Sequence, residues 1–371
     1  MTATAVLPLA GLHIVEFEAL GPGPSAGALL AQAGASVRLI VRPQARRSDG
    51  VESLLAGAPG VAGVAGVVGA AEADGAAPAD PRRAGKQLVA LDLKRPADRD
   101  AALDLIASAD ALIEGLRPGV MERLGLGPAA CHARRPQLVY GRLSGWGQDG
   151  PLAQAAGHDL NYAALSGLLA LGVHHGAHGG TTRSAPPWVP PGVVGDGAAA
   201  LGLAYGIVCG VLRARLSGRG CVVDAAISEL AGTLGSVAHW LHGIGALAED
   251  APLRAAPFYE VYRCADGGFV SIAALEPAFY AVLLDKLALH DIDRAAQYDS
   301  AQWPALRERF DALFASRPRA HWCALLEGSD ACFAPVLDLD EAPDHPQHAA
   351  RGSLQRRADG GIEGGPAPKI G

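Results

Sequence analysis

Leu12-His13-Ile14-Val15-Glu16-Phe17, then Gly21-Pro22-Gly23-Pro24-Ser25-Ala26-Gly27, then Ser36-Val37-Arg38-Leu39-Ile40-Val41: these pieces, in this order, decide the fold. The outer two are short apolar runs with β-branched residues and read as strands over 12–17 and 36–41. Between them, Ser25 to Gln32 carries the Ala and Leu of a helix. Strand, helix and strand make a βαβ opening of Rossmann type and predict a parallel sheet. The glycine turn looks like a dinucleotide fingerprint. Its prolines argue against NAD, as does the lack of an acidic residue closing the second strand, where Arg38 and Arg42 stand instead.

Outward from this unit the alternation continues. A strand is expected within 87–93, a helix over 96–107, a short strand over 111–113, a helical turn over 120–124 and a strand over 137–143, which extend an open α/β sheet. Residues 45–84 are dominated by Gly, Ala, Val and Pro without a sustained period, so a surface excursion outside the core is expected there. After Cys221-Val222-Val223, a helix over 226–241 leads to two strands, 258–264 and 269–273, joined through Ala265-Asp266-Gly267-Gly268 as a hairpin. Helices over 277–287 and 303–314 and an apolar run over 332–337 follow. The domain plan is therefore a large Rossmann-like domain of residues 1–225 with the tail 345–371, linker helices over 226–259, and a small α+β domain over 260–344.

A chain of 371 residues, half of them apolar and 19% charged, has ample core for two folded domains. Its formal net charge of −7 argues against nucleic acid as a bulk electrostatic partner. Six cysteines without a C-x-x-C spacing, and an opening without a charged-then-apolar leader, point to free thiols and a cytoplasmic setting. The most apolar segment, Gly197 to Leu212, is shorter than a bilayer requires, so no membrane span is expected.

Two ionisable residues stand where loops enter helices. His158 lies in Gly157-His158-Asp159-Leu160-Asn161-Tyr162, and Asp196 in Val193-Val194-Gly195-Asp196-Gly197. Apolar residues at helical spacing follow each. A first helical turn offers unpaired N–H groups, so a carbonyl held between two such mouths has its developing oxyanion stabilised while the side chains move protons at the neighbouring carbon. The plainer readings are a hydrogen-bonding histidine and, for Asp196, an ordinary N-cap. His174, His175 and His178 lie in a glycine-rich segment with neither Cys nor a nearby carboxylate, which argues against a metal site.

The blocks Gly11-Leu12-His13-Ile14-Val15-Glu16, Leu91-Asp92-Leu93-Lys94, Arg117-Pro118-Gly119-Val120, Glu122-Arg123-Leu124-Gly125, Ser144-Gly145-Trp146-Gly147, Gly157-His158-Asp159, Val194-Gly195-Asp196, Leu275-Glu276-Pro277 and His345-Pro346 resemble the class III CoA-transferase superfamily, and within it the α-methylacyl-CoA racemases. The resemblance spans nearly the whole chain. It implies a Rossmann-like large domain closed by the C-terminal tail, a smaller α+β domain, and two chains interlocked as a homodimer. It implies His158 and Asp196 as the acid/base pair and Glu276 as a carboxylate reaching toward the histidine, although Glu276 also fits a simple neighbour of Pro277 at a helix start. Arg38 and Arg123 become contacts to the adenosine and phosphate parts of CoA. The implied activity is racemisation of 2-methyl-branched acyl-CoA thioesters through an enolate, with an amide such as that of Asp159 receiving the oxyanion. No cofactor is needed beyond the CoA of the substrate. Transferases of the superfamily instead use the aspartate at the Asp159 position as nucleophile, so CoA transfer between carboxylates is the alternative, and a catalytically silent CoA-binding homologue is a third. Two departures stand out: Gly192 where racemases carry an asparagine four residues before the catalytic aspartate, and long insertions over 45–84 and 174–188.

Overall fold

The structure, a computed structural model, describes residues 7–43, 80–172 and 189–370. Its packing divides into two units, Met1–Gly235 with Ser353–Gly371, and Ser236–Gly352. In the first unit β1 (His13–Phe17), α1 (Gly23–Gln32) and β2 (Ser36–Val41) form the expected βαβ element, with β1 and β2 parallel and His13 opposite Ser36. The unit continues with β3 (Gln87–Ala90), α2 (Pro96–Ala107), β4 (Ala111–Glu114), α3 (Val120–Arg123), α4 (Pro128–Arg134), β5 (Val139–Ser144), α5 (Asp159–Leu165), α6 (Gly195–Ser217), β6 (Cys221–Ala226) and α7 (Ile227–Leu234). All six strands are parallel in the order β3-β2-β1-β4-β5-β6. That is the doubly wound Rossmann order, in which ligands bind outside the carboxyl ends of the strands near the reversal of strand order. Successive strand residues face opposite sides, so Ile14, Ile113 and Val139 join one core with Leu30 and Leu203, while Val15, Leu112 and Tyr140 join another with Ile106 and Met121.

The helix α6 runs 23 residues and is the longest in the molecule's described part. Glycines let it lie close on the sheet: a Cβ at Gly210 would sit 2.6 Å from Cγ1 of Val139. This corrects the length argument made from the shorter apolar segment, because Arg213 and Arg215 continue the helix toward the left-handed Gly218 that caps it. By length and hydropathy α6 meets what a bilayer span needs, yet half of its most apolar window is buried within the protein.

A charged pair lies wholly inside the first unit. Glu16 on β1 and Lys86 just before β3 are 2.6 Å apart with no exposed side-chain surface, and Lys86 Nζ also donates to the carbonyl of Pro24 at 2.9 Å. Burial pushes the Glu16 carboxyl up to about 7 against the pull of the ammonium. Gly27 of α1 makes room for the pair, since a Cβ there would fall 1.8 Å from Glu16 Oε2.

Two further expectations need correction. Residues 80–84 are not an excursion: Pro81–Arg83 forms a 3-10 turn in which Arg83 pairs with Glu18 at 2.6 Å. The rest of that stretch, the insertion 174–188 and its histidines lie outside the described residues. The helix expected over 226–241 is two, α7 and α8 (Ser236–Gly243), broken at Gly235, where glycine and flanking Thr233 and Ser236 are weak helix formers.

The second unit holds α8, α9 (Pro252–Ala255), the hairpin β7 (Tyr259–Arg263) and β8 (Phe269–Ala273), α10 (Pro277–Lys286), α11 (Trp303–Phe314), α12 (Arg319–Leu326), β9 (Phe333–Val336) and α13 (Pro346–Arg351). Strand β9 adds to the hairpin to give an antiparallel sheet β7-β8-β9. Its core is aromatic, with Tyr262 stacked on Phe314 and Phe258 against Trp303. The tail then forms β10 (Leu354–Arg356) and β11 (Ile362–Gly364) in the first unit, where Gln32 Nε2 donates to the Gly364 carbonyl at 3.3 Å.

Candidate active site

The connection leaving the carboxyl end of β5 brings His158 to the mouth of α5. His158 is the N-cap residue, exposed, with extended backbone (φ −132°, ψ 174°), and its N–H donates to Asn161 Oδ1 at 3.1 Å. The next residue, Asp159, reaches across to α6. Its Oδ2 accepts the N–H of Gly192 at 2.9 Å, and its Oδ1 accepts those of Gly195 and Asp196 at 2.7 and 2.9 Å. One carboxylate thus takes three backbone donors at a helix start, where the dipole also favours negative charge. The N-cap of α6 is Val194, so Asp196 is not the cap its position in the sequence indicated; it stands inside the first turn, and Asp159 supplies the capping oxygen.

This latch brings His158 and Asp196 into one locale. Burial is the largest influence on the half-buried Asp196 and raises its pKa, the Asp159 charge raises it further, and His158 and Arg82 pull it down. A raised carboxyl pKa suits a group that must carry a proton during turnover. Gly192 has φ +75°, a conformation glycine adopts without penalty, and contributes its N–H to Asp159. Gly195 must also lack a side chain, because a Cβ would lie 2.8 Å from Asp159 Oδ1.

Arg123 is exposed at the end of α3, a helix braced by Glu122, which pairs with Arg142 at 2.8 Å; Arg142 in turn pairs with the buried Glu114 at 3.0 Å. Arg38 is half-buried in mid-strand, opposite Val15 and Gln87, whereas Arg42 stands just past the carboxyl end of β2. Among the described residues no hydrogen bond or ion pair joins either Arg38 or Arg123 to the helix mouths. Glu276 is in the second unit, exposed at the N-cap of α10 without capping it. Arg82 was missed, hidden at the end of a stretch without periodicity; its signal was the Arg82-Arg83 pair directly ahead of a strand. Among the described residues no group of three or more His, Cys, Asp or Glu is placed to hold a metal ion.

The sequence profile described as CoA-transferase family III matches residues 9–370. The chain belongs to CoA-transferase family III. Within the family it is similar to the alpha-methylacyl-CoA racemase of Mus musculus, 36% identical over 351 residues, covering 93% of this chain and 82% of that one. It is also similar to the acetyl-CoA:oxalate CoA-transferase of Acetobacter aceti, 31% identical over 290 residues, covering 73% and 69%. Among solved structures, Rv3272 from Mycobacterium tuberculosis in its orthorhombic form superposes with a TM-score of 0.73 at 24% identity, covering 98% of this chain and 93% of that one. That likeness carries the fold. The relatives of this chain thus include both a racemase and a CoA-transferase.

Proposed function

We propose that this family III enzyme racemises 2-methyl-branched acyl-CoA thioesters by 1,1-proton transfer through an enolate. His158 removes or returns the C2 proton on one face and Asp196 does so on the other, so their roles exchange with direction. The thioester oxygen, which gains charge as the proton leaves, is received by the Asp159 N–H, the first amide of α5, where no intrahelical acceptor exists. One such donor is typically worth about 3–4 kcal/mol. From the family resemblance we also assign Glu276 as an accessory carboxylate and Arg38 and Arg123 as CoA contacts. No cofactor beyond the substrate's own CoA is required, and we propose a cytoplasmic homodimer.

The observation that carries this reading is the engagement of Asp159. A carboxylate accepting three N–H groups at 2.7 to 2.9 Å has most of its lone-pair sites engaged and its charge stabilised, which makes it a weaker nucleophile toward a thioester. With Asp159 so held, the two proton carriers are His158 and Asp196. The similarity to a racemase at 36% identity supports the same choice.

The test is deuterium incorporation at C2 of single epimers of a 2-methylacyl-CoA in deuterium oxide, without a carboxylate acceptor. Exchange with inversion is expected. Absence of exchange together with acceptor-dependent CoA transfer replaces the reading by the transferase one, with Asp159 as nucleophile. Binding of acyl-CoA with neither reaction leaves a silent homologue.

A further inference from the structure

The two peptide planes that flank the Cα of His158 are both held by one residue. Tyr162 donates its hydroxyl to the carbonyl of Gly157 at 2.6 Å and its backbone N–H to the carbonyl of His158 at 3.3 Å. The first bond fixes the plane before His158 and the second fixes the plane after it, which together restrain φ and ψ of the residue between. Asn161 reinforces both, its N–H donating to the His158 carbonyl at 2.8 Å and its Oδ1 accepting the His158 N–H at 3.1 Å.

The ring of Tyr162 is itself fixed. It is 6% exposed and packs edge-on against Trp146 with centroids 4.8 Å apart. Glycines close on it from both motif blocks: a Cβ at Gly145 would fall 2.3 Å from the Tyr162 hydroxyl oxygen, and one at Gly157 would fall 2.9 Å from Cε1. The Ser144-Gly145-Trp146-Gly147 and Gly157-His158-Asp159 blocks are thus two sides of one socket for a tyrosine. A phenylalanine would fill the same volume, so the hydroxyl is present for the Gly157 carbonyl. A part-buried carbonyl that loses its donor leaves the Gly157–His158 peptide plane without this restraint, and the loop would shift.

We propose that Tyr162 is the positioning residue that sets the direction of the His158 imidazole. The inference rests on the reading of His158 as an acid/base. Its role is selective, since Tyr162 holds the backbone of His158, whereas the backbone of Asp196 is held by Asp159. The burial and Asp196 charge that raise the Tyr162 pKa keep its hydroxyl protonated as a donor.

The experiment follows initial loss of the C2 proton from each epimer separately in deuterium oxide, with wild type and Tyr162→Phe. The epimer deprotonated by His158 is identified independently as the one whose exchange His158→Ala abolishes. Tyr162→Phe is expected to slow exchange of that epimer by about 10- to 100-fold, the scale of a displaced catalytic group. Exchange of the other epimer and the KM for acyl-CoA are expected to stay within about twofold. Asn161→Ala, an exposed position that leaves the core intact, should show the same asymmetry, and Asn161→Asp, which keeps the acceptor oxygen, should restore exchange of the His158-dependent epimer. Equal slowing of both epimers, or no slowing, overturns the positioning role while the racemase reading stands. A wild type that exchanges neither epimer overturns both.

Discussion

At the scale of single residues, Asp159 and Asp196 are two carboxylates in opposite environments, to which the proposed mechanism gives opposite duties. Asp159 is fastened by Gly192, Gly195 and Asp196, and its charge helps to raise the proton affinity of Asp196, after burial. Asp159→Asn removes that charge, so the Asp196 pKa falls and the limb of the pH–rate profile governed by Asp196 moves to lower pH. The carboxamide still offers one acceptor oxygen, so racemisation should fall by about 10- to 100-fold and persist. Complete loss of turnover together with accumulation of an acyl-enzyme in wild type would identify Asp159 as a nucleophile instead. Both helix mouths were legible in the sequence, because apolar residues at helical spacing follow His158 and Asp196, although Asp196 lies inside the first turn rather than ahead of it. The latch was not: its partners are 33 to 37 residues apart, and no local pattern records that a side chain at one helix start caps another. The departure at Gly192 acquires a physical sense only in three dimensions, where a left-handed glycine supplies a backbone donor.

At the scale of elements, the strand–helix–strand opening was legible because β1 and β2 alternate between two cores and α1 lies between them. Helices with little amphipathic contrast were not. α4 begins at Pro128 directly after Gly127, a pairing that reads as a turn until the proline is recognised at the first helical position. The Glu16–Lys86 pair was equally hidden, although it ties β1, α1 and the entry to β3 together. Lys86→Met leaves Glu16 buried without its cation and should destabilise the fold by about 3–5 kcal/mol, whereas the double variant Glu16→Leu/Lys86→Met should recover most of that loss. Chemical denaturation of the three proteins measures it. A single variant as stable as wild type would mean that water or rearrangement already serves the pair. The pH dependence has a definite sign. Glu16 has a folded pKa raised from 4.5 to about 7, so its proton uptake stabilises the fold fully below about 4.5, and this contribution is lost as pH rises through about 7.

At the scale of the whole molecule, one face of α6 presents an exposed apolar stripe among the described residues. Leu201, Tyr205, Val208, Leu212 and Leu216 recur at helical spacing, and Leu216 is 81% exposed while Leu203, Ile207 and Val211 of the same helix are buried in the core. Exposed apolar stripes of this kind suit a protein or lipid surface, and the homodimer proposed for this enzyme needs one, burying over about 2,000 Å² if the association is obligate. Light scattering is expected to give a dimer. Leu212→Glu with Leu216→Glu places two charges on the stripe and should yield a monomer with reduced racemisation, while the core that carries Asp196 stays folded by circular dichroism. The hydropathy of α6 allows a competing occupant, a lipid surface, and flotation with anionic and neutral vesicles separates the two. A dimer that withstands both charges would move the interface away from α6. A fully active wild-type monomer would remove the homodimer from the proposal, and monomer that floats with vesicles through these same leucines would assign the stripe to the bilayer.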